Sequence, residues 1–351
     1  MINTHRHYFR TILFCLMLFP GFAVILQAQP ESDIVILGTG DTMMGSWASQ
    51  VIADSGVTYP FENLRNTVSG ADVFFTNLEA PFGTAGTAFE KKFTFRVKPS
   101  LVQVLLDGGV NLVSLANNHI MDFGSICLDQ TIETLQNNAI YYAGAGKNLK
   151  QARKPAIIEA KGKRIGFLAY SLTFPEEFWA SDTSAGTCFP FEEFAFNDVR
   201  ALKQQCDFVI ISCHWGQELM ETPKKYQVKL AHRLIDTGAD LILGHHPHIV
   251  QGIEQYKDKW IAYSLGNFIF GSYSESARDS FIFKVTVNEA FETTAQVIPI
   301  NVYNKDVNFR PVILDGENRD AFFLKLKNLS VELNSGTFGI TNEGMISINN
   351  S

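Results

Sequence analysis

The stretch ADLILGHHPHIVQGIE, residues 239–254, places His245, His246 and His248 directly after an apolar run, and they are three of the eight histidines of the chain. The apolar run is predicted to be a buried strand, because it is short, continuous and bounded by turn residues. A strand holds the backbone in place, and the turn after it can aim several imidazoles at one point. The stretch therefore predicts a sheet whose strand ends carry the chemistry of the protein.

The rest of the chain repeats this alternation. Runs such as DIVILGTGD, ADVFFTNLE and CDFVIISCHWG are predicted strands, and PSLVQVLLDGGV, GSICLDQTIETLQNNA and KKYQVKLAHRLIDTG have helical spacing. KPAIIEAKGKRIGFLAYS is predicted to form a hairpin that turns at Lys161-Gly162, and KWIAYSLGNFIFG one more strand. Beyond Arg278, β-rich alternation predicts a second, more antiparallel sheet packed on the first. The predicted fold class is α/β, with layered sheets.

Length and composition are those of a globular protein with a large core. The chain has 351 residues, of which 46% are hydrophobic and 19% charged. A net charge of −7 argues against a general nucleic-acid or anionic-membrane surface. We detect no internal repeat or long linker, so residues 29–351 are predicted to form a single domain with a β-rich C-terminal part.

The first 28 residues are predicted to be a signal peptide. Two Arg and two His in MINTHRHYFR precede the apolar run TILFCLMLFPGFAVIL and the polar QAQPES, and cleavage is expected after Ala28. The alternative is an uncleaved N-terminal anchor. Phe14 before Cys15 argues against a lipoprotein, which needs a small residue there. The expected location is the periplasm or the cell surface.

Cys127, Cys188, Cys206 and Cys213 remain after the predicted signal peptide. They form no CxxC motif, and their spacing fixes no disulfide pairing. We interpret them mostly as buried, small apolar residues.

Nearly every predicted strand ends in polar side chains, and the carboxyl ends of strands line the ligand crevice in open α/β sheets. Carboxylate, amide and imidazole groups without thiolate suit Mn, Fe or Zn, and they suit a site of one or two divalent ions. Glu79 or Asp41 could bridge two ions, while His246 and His248 could point to different ones. The polar residues at these strand ends are Asp41, Asn77, Glu79, Asn118, His119, His214, Glu218, His245, His246, His248 and Asn267.

Taken singly, several of these residues have a structural alternative. Asp41 could be a turn residue, and Asn118 could cap a turn. Asp122 is interpreted as a helix cap rather than a ligand. His214 could be a core histidine beside Trp215. His245 could pack in the sheet or donate a hydrogen bond to a residue that binds the metal. His232 is interpreted as structural.

The loop after the second predicted strand contains three basic residues. Arg96, in FTFRVKP, is predicted to bind substrate anions, with an ordinary surface arginine as its alternative. Lys91 and Lys92 are further candidates for binding the same anions, but the preferred interpretation for them is a solvated loop.

Six segments carry a family resemblance. GTGDTMMG, FFTNLEAPF, LANNHIMDFG, CHWGQE, GHHPHIVQG and YSLGNFIF resemble, in order, the signatures of the CapA-type poly-γ-glutamate capsule-synthesis family. That family is similar to the calcineurin-like metallophosphoesterases, and the resemblance covers about residues 33–271. It implies a metallophosphatase-like αββα sandwich, which consists of two mixed sheets flanked by helices.

The resemblance also implies roles for individual residues. Glu79 occupies the place of the bridging acid, although an aspartate is usual there. His119 matches a histidine that faces the substrate as acid or charge stabiliser. Met43 departs from the family pattern, which has a histidine two residues after the first metal aspartate. The implied metal ligands are Asp41, Glu79, Asn118, His214, His246 and His248, and the predicted substrate-binding residues are Arg96, Glu218, His245 and Asn267.

Two functions remain open from the sequence. The first hypothesis is an exported metal-dependent hydrolase of capsule, poly-γ-glutamate or other anionic envelope polymer metabolism. In it, metal-bound hydroxide attacks a phosphoester or an amide. The alternative is a non-catalytic component that binds the polymer within a membrane capsule-synthesis complex. The expected partners are this polymer or a small phosphoester or amide substrate, and not nucleic acid.

Overall fold

The computed structural model describes residues 33–348, except for the side chains of residues 192 and 193. The predicted signal peptide, residues 1–28, lies outside the described residues. Across the described range, none of the helices combines the length and the apolar character that a membrane span requires.

Strands and helices alternate along most of the described chain. The strands are β1 (Ile34–Thr42), β2 (Val73–Leu78), β3 (Leu112–Ser114), β4 (Tyr141–Ala143), β5 (Ala145–Gly146), β6 (Ala156–Ala160), β7 (Lys163–Ser171), β8 (Gly186–Thr187), β9 (Phe208–His214), β10 (Leu241–His245), β11 (Ile253–Tyr256), β12 (Lys259–Ala262), β13 (Asp279–Val287), β14 (Thr293–Asn301), β15 (Val312–Ile313), β16 (Phe338–Ile340) and β17 (Ile346–Ile348). The α-helices are α1 (Trp47–Ser55), α2 (Arg65–Val68), α3 (Val102–Asp107), α4 (Gly124–Asn137), α5 (Leu149–Ala152), α6 (Glu192–Lys203), α7 (Lys225–Thr237), α8 (Asn304–Val307) and α9 (Gly316–Ser330).

The first large sheet has the strand order β15-β14-β13-β1-β2-β3-β4. Strands β1 to β4 are parallel, whereas β13 pairs antiparallel with β1. The prediction that the region beyond Arg278 forms a second sheet is therefore wrong. The physical reason is that β2, β3 and β4 all lie on one side of β1. The other edge of this buried strand needs a partner for its backbone groups, and β13 supplies it.

The second large sheet has the order β11-β12-β10-β9-β7-β6. Strands β12, β10, β9 and β7 are parallel, and antiparallel β11 and β6 form the edges. The predicted hairpin is confirmed: β6 and β7 join at Lys161 and Gly162, which have φ of 48° and 76°. The predicted strand KWIAYSLGNFIFG is shorter than expected, because the chain leaves the sheet after Ala262 and passes beside Asp41 of β1.

The two sheets pack face to face, and helices cover both outer faces. Phe75 of the first sheet and Phe167 and Leu243 of the second belong to one buried cluster between the sheets. Helices α1, α3 and α4 pack on the first sheet, and α6 and α7 pack on the second. The predicted αββα sandwich of two mixed sheets flanked by helices is confirmed.

Candidate metal centre

The carboxyl ends of strands from both sheets meet at one end of the sandwich. Asp41 lies in β1, Glu79 follows β2, His214 ends β9, and His246 and His248 follow β10. They form two groups of three potential ligands: Asp41, Glu79 and His214, and Glu79, His246 and His248. Within each group, one candidate ligand atom of each residue lies within 4.8 Å of the others. Glu79 belongs to both groups.

Asp41 is fully buried and held from several sides. Its Oδ1 accepts a hydrogen bond from Asn77 Nδ2 at 2.8 Å, and its Oδ2 accepts one from the backbone N–H of His246 at 3.2 Å. His248 Nδ1 lies 3.2 Å from the same Oδ2. Burial opposes ionisation, but the hydrogen bond with His248 and the neighbouring imidazoles outweigh it and hold the pKa of Asp41 below its ordinary value.

Glu79 is also fully buried, and its Oε1 accepts no hydrogen bond. This oxygen lies 3.6 Å from His214 Nε2 and 3.7 Å from His248 Nε2. Burial, together with the nearby charge of Asp41, raises the pKa of Glu79 well above its ordinary value. A buried carboxylate oxygen without a donor is costly unless a cation satisfies it.

His246 and His248 lie in a turn with strained backbone. Their φ angles are 95° and 60°, in a region that residues other than glycine rarely adopt and that is frequent at functional sites. Burial and the nearby His248 lower the pKa of His246 to about 3. Burial also acts to lower the pKa of His248, but its hydrogen bond to Asp41 and the nearby acidic charges raise it above the ordinary value.

His214 and Asn118 complete the arrangement. Asn118 Oδ1 lies 2.8 Å from His214 Nε2. Burial and the proximity of His246 lower the pKa of His214 well below its ordinary value, so this imidazole is neutral and available as a ligand.

These residues fit a divalent cation. Oxygen and imidazole donors form two adjoining groups that share the carboxylate of Glu79, and no thiolate is among them. Two buried polar atoms in the cluster, Glu79 Oε1 and His246 Nδ1, have no hydrogen-bond partner. A cation would provide one.

His119 lies beside the centre and is held by Asp122. Its Nδ1 lies 2.8 Å from Asp122 Oδ2, and burial lowers the pKa of His119 although the carboxylate opposes this. The interpretation of Asp122 as a helix cap is wrong, because α4 begins at Gly124 with Phe123 in the cap position. Asp122 is instead fully buried, and its Oδ2 also accepts the backbone N–H of Phe95.

Lys91 belongs to the same network, so its interpretation as part of a solvated loop is wrong. Its Nζ donates to the backbone oxygen of Asn118 at 2.6 Å and lies 2.5 Å from Asp122 Oδ1. The sequence did not reveal this partly buried position, because one lysine of a Lys-Lys pair gives no sign of burial. The neighbouring Lys92 is exposed, as expected.

Two asparagines that were not predicted as site residues organise the strand ends. Asn77 Nδ2 contacts Asp41 and lies 3.3 Å from His214 Nδ1. Asn117 Nδ2 donates to Asn77 Oδ1, while its Oδ1 accepts the backbone N–H of His119. Their position at strand ends was a visible signal, but a supporting role cannot be told from a ligand role by position alone.

The remaining predicted residues differ in their surroundings. Asn267 is buried, and its Oδ1 lies 2.9 Å from His248 Nδ1. His245 lies between the sheets, with Nε2 3.1 Å from the Thr39 carbonyl oxygen, which corresponds to the packing alternative for this residue. Arg96 is exposed and stacks on Phe123 at 4.2 Å. The substrate-binding roles of all three stay predictions.

Met43, at the position where the family pattern has a histidine, is buried in the core. Its Sδ accepts the backbone N–H of Gly45 at 3.2 Å, and its side chain belongs to the apolar cluster on the outer face of the first sheet. The chain therefore has a core methionine in place of one histidine of the family pattern.

A pocket of about 460 Å³ opens beside the centre, and Asn118, His246 and Glu218 are among its lining residues. A larger groove of about 1180 Å³ runs past β4 and β6 at another place on the surface, and none of the predicted site residues lines it. The smaller pocket is therefore the candidate for substrate entry.

The family model and the curated relatives that match this chain agree on one family. Residues 35–272 match the family model described as bacterial capsule synthesis protein PGA_cap. The PGA biosynthesis protein CapA of Bacillus subtilis (strain 168) is 29% identical over 311 residues, which are 86% of this chain and 82% of that protein. The capsule biosynthesis protein CapA of Bacillus anthracis is 27% identical over 285 residues, 79% of this chain and 69% of that protein. Among solved structures, the NAD nucleotidase of Haemophilus influenzae is similar with a TM-score of 0.49 and 13% identity, over 84% of this chain and 62% of that chain.

Proposed function

Because this chain belongs to the bacterial capsule synthesis protein family PGA_cap, we propose that it is a metal-dependent hydrolase in the metabolism of poly-glutamate or another anionic envelope polymer. The bond cleaved is a phosphoester or an amide. The observation that carries this proposal is the position of Glu79, a buried carboxylate shared by two groups of ligands and left with an unsatisfied oxygen. The proposed ligands of one or two divalent ions are Asp41, Glu79, Asn118, His214, His246 and His248.

A bound Mn, Fe or Zn ion would supply a Lewis acid and lower the pKa of water at the centre. The protein contributes the remaining steps. With Nδ1 of His119 facing Asp122, Nε2 is the ring nitrogen left to exchange a proton with the substrate or to stabilise its developing charge. Lys91 holds Asp122 in place from the opposite oxygen. Asn267 in turn orients His248.

A second candidate function is a non-catalytic polymer-binding component of a capsule synthesis or export complex. Met43 favours it, because the replacement of an imidazole by a core side chain leaves fewer ligands for one of two ions. The centre would then hold a structural ion.

Metal analysis tests the centre itself. We expect about one to two divalent ions per chain in the purified protein. His246→Ala is expected to lower this content, whereas His232→Ala, a histidine that pairs with Glu254 away from the centre, is expected to keep it. A protein without metal, in which His246→Ala changes neither stability nor activity, would refute the proposal.

Turnover assays separate the two functions. Metal-loaded protein is incubated with a chromogenic phosphodiester and, separately, with poly-γ-glutamate. For the hydrolase, His119→Ala is expected to keep its metal and lose about 10²–10⁴-fold in rate, the usual contribution of a general acid or base. Binding of the polymer without turnover supports the second candidate.

We also propose that the protein is exported to the cell envelope, with residues 1–28 as signal peptide and residues 29–351 as one domain. The names of the Bacillus relatives, which refer to capsule and PGA biosynthesis, support an envelope role. N-terminal sequencing of the exported protein tests this: Gln29 is the expected first residue, and an intact N-terminus would indicate the anchored alternative.

A further inference from the structure

The pocket beside the candidate metal centre has walls from three chain segments. The loop after β7 contributes Thr173 and Phe174, and the loop after β9 contributes Glu218. The start of α7 contributes Tyr226, with Lys224 directly before it. His246, about nine-tenths buried and with an unpartnered Nδ1, also lines it. A molecule in this pocket therefore touches both the centre and the three walls.

The pocket carries one negative and one positive side chain that do not neutralise each other. Among residues 33–348, neither Glu218 nor Lys224 has an ion-pair partner within 4.0 Å. Glu218 is exposed and Lys224 half-buried. Both charges are thus available to a ligand.

The positive side of the pocket is reinforced by a helix end. Lys224 directly precedes α7, a helix of 13 residues, and the first-turn amides of such a helix favour an anion. Tyr226, in that first turn, accepts the backbone N–H of Gly216 through its Oη at 2.7 Å and so ties α7 to the loop after β9. The wall beside Lys224 therefore suits a carboxylate.

The negative side disfavours a purely anionic ligand. A phosphate group placed in this pocket would meet Lys224 but would also meet the carboxylate of Glu218. A group with an ammonium and a carboxylate on neighbouring atoms has a partner for each charge. The exposed Phe174 ring offers an apolar surface to the methylene groups of such a ligand.

We infer that this pocket binds a zwitterionic amino-acid head group, with its ammonium beside Glu218 and its carboxylate beside Lys224. This inference rests on the proposed function and selects its amide branch, because a γ-glutamyl amide at the end of a poly-γ-glutamate chain carries this pair of charges, whereas the phosphate of a phosphoester contributes negative charge alone. The substrate class is a chain end or small amide in which a free α-amino and a free α-carboxylate flank the same carbon.

Three probes of similar size test the inference by isothermal titration calorimetry at low salt. They are γ-glutamyl anilide, its N-acetyl derivative without the ammonium, and its α-carboxamide analogue without the carboxylate. We expect the wild-type protein to bind γ-glutamyl anilide about tenfold or more tightly than either derivative, because each loses a charge-assisted contact. The measurement is made on metal-loaded and EDTA-treated protein and needs no turnover.

Two variants assign the contacts. Glu218→Gln is expected to remove the discrimination against the N-acetyl derivative and to keep that against the carboxamide, and Lys224→Met is expected to do the reverse. Glu221→Gln and Lys225→Met are matched controls, since both residues are exposed and neither lines the pocket. Circular dichroism and thermal melting verify that all four variants fold.

The outcomes are distinct. Equal binding of all three probes, no binding of any, or tighter binding of inorganic phosphate than of γ-glutamyl anilide overturns the zwitterion pocket. The zwitterion pocket is also overturned if the Glu218→Gln substitution lowers the affinity for all three probes by the same factor. If the protein distinguishes the three probes but holds no metal and turns over no substrate, the pocket is supported and the hydrolase is refuted. If it holds metal and turns over substrate but binds the three probes equally, the pocket alone is refuted.

Discussion

At the scale of single residues, the centre depends on a carboxylate that the protein alone does not satisfy. Glu79 and Asp41 are both fully buried and close together. Both oxygens of Asp41 accept hydrogen bonds, whereas Glu79 accepts only a long one from Asn77 Nδ2 at its Oε2 (3.4 Å) and none at its Oε1. Keeping a second negative charge beside the first is unfavourable without a cation. Glu79 should therefore lower the stability of the metal-free protein and raise the affinity for metal.

Glu79→Gln tests both effects. The pKa of Glu79 is raised in the folded protein, so its contribution to stability is full below its unfolded pKa and is lost as pH rises through the folded value. In EDTA at pH 7 the variant should therefore melt higher than the wild type, by about 1.5 °C for each kcal/mol of relieved repulsion in a domain of this size, and the difference in melting temperature should vanish towards pH 4. With metal added, the wild type should instead melt at the higher temperature. If the variant melts at a lower temperature than the wild type in EDTA at pH 7, Glu79 does not destabilise the metal-free protein.

The cysteines give a second test at this scale. Cys127, Cys188, Cys206 and Cys213 are buried and unbridged in the structure, as predicted for small apolar residues. Burial raises the pKa of the Cys127 thiol to about 11, which leaves roughly a thousandth of it as thiolate at pH 8.

We expect these thiols to resist iodoacetamide at pH 8 in the native protein and to react in guanidinium chloride. Peptide mass mapping reads each cysteine separately. Rapid labelling of Cys127 in the folded protein would show that its environment is more open than the structure indicates.

At the scale of elements, two glycines let the strands approach closely where the site is built. A Cβ added to Gly40 would lie 2.1 Å from the backbone oxygen of Gly266, and one added to Gly244 would lie 2.0 Å from that of Tyr263. These glycines directly precede Asp41 and His245. Backbone atoms cannot move aside as a flexible side chain can, so a side chain at either position would displace a strand end.

Gly244→Ala should therefore destabilise the protein by about 2–4 kcal/mol, in the upper range for single substitutions, and reduce its metal content. Gly38→Ala is the matched control in β1, because its nearest neighbours are the methyl ends of Leu243 at 3.1 and 3.2 Å, which can shift. Chemical denaturation and metal analysis measure both. Equal losses in the two variants would count against a specific role of the close backbone contact.

Strand ends could be predicted from the sequence, whereas strand pairing could not. Strand ends such as GHHPH and TNLE were visible because apolar runs stop abruptly at polar residues, and the structure brings their side chains together. The pairing of β13 with β1 was not visible, since it joins residues about 250 positions apart, such as Ile34 and Val287, and local alternation does not specify a partner. Asp122 was misread because an aspartate before a helix usually caps it, and only the tertiary contacts with His119 reveal otherwise.

At the scale of the whole molecule, the centre is divided between the two sheets. Asp41 and Glu79 come from the first sheet, and His214, His246 and His248 come from the second. A cation held by both groups would link the sheets at the one end of the sandwich where the parallel strands finish. Its binding should therefore stabilise the domain as a unit rather than one loop.

Metal addition to EDTA-treated protein should raise the melting temperature, because a ligand that binds only the folded state stabilises it. The gain is about 2.7 kcal/mol when free metal is 100 times its dissociation constant. Hydrogen exchange should slow both in β1 and β2 and in β9 and β10, since each sheet supplies ligands. His248→Ala should lose the effect in both sheets together, whereas His232→Ala, which keeps every candidate ligand, should retain it. Protection confined to the loop of residues 246–250 would instead indicate a local ion site that leaves the two sheets uncoupled.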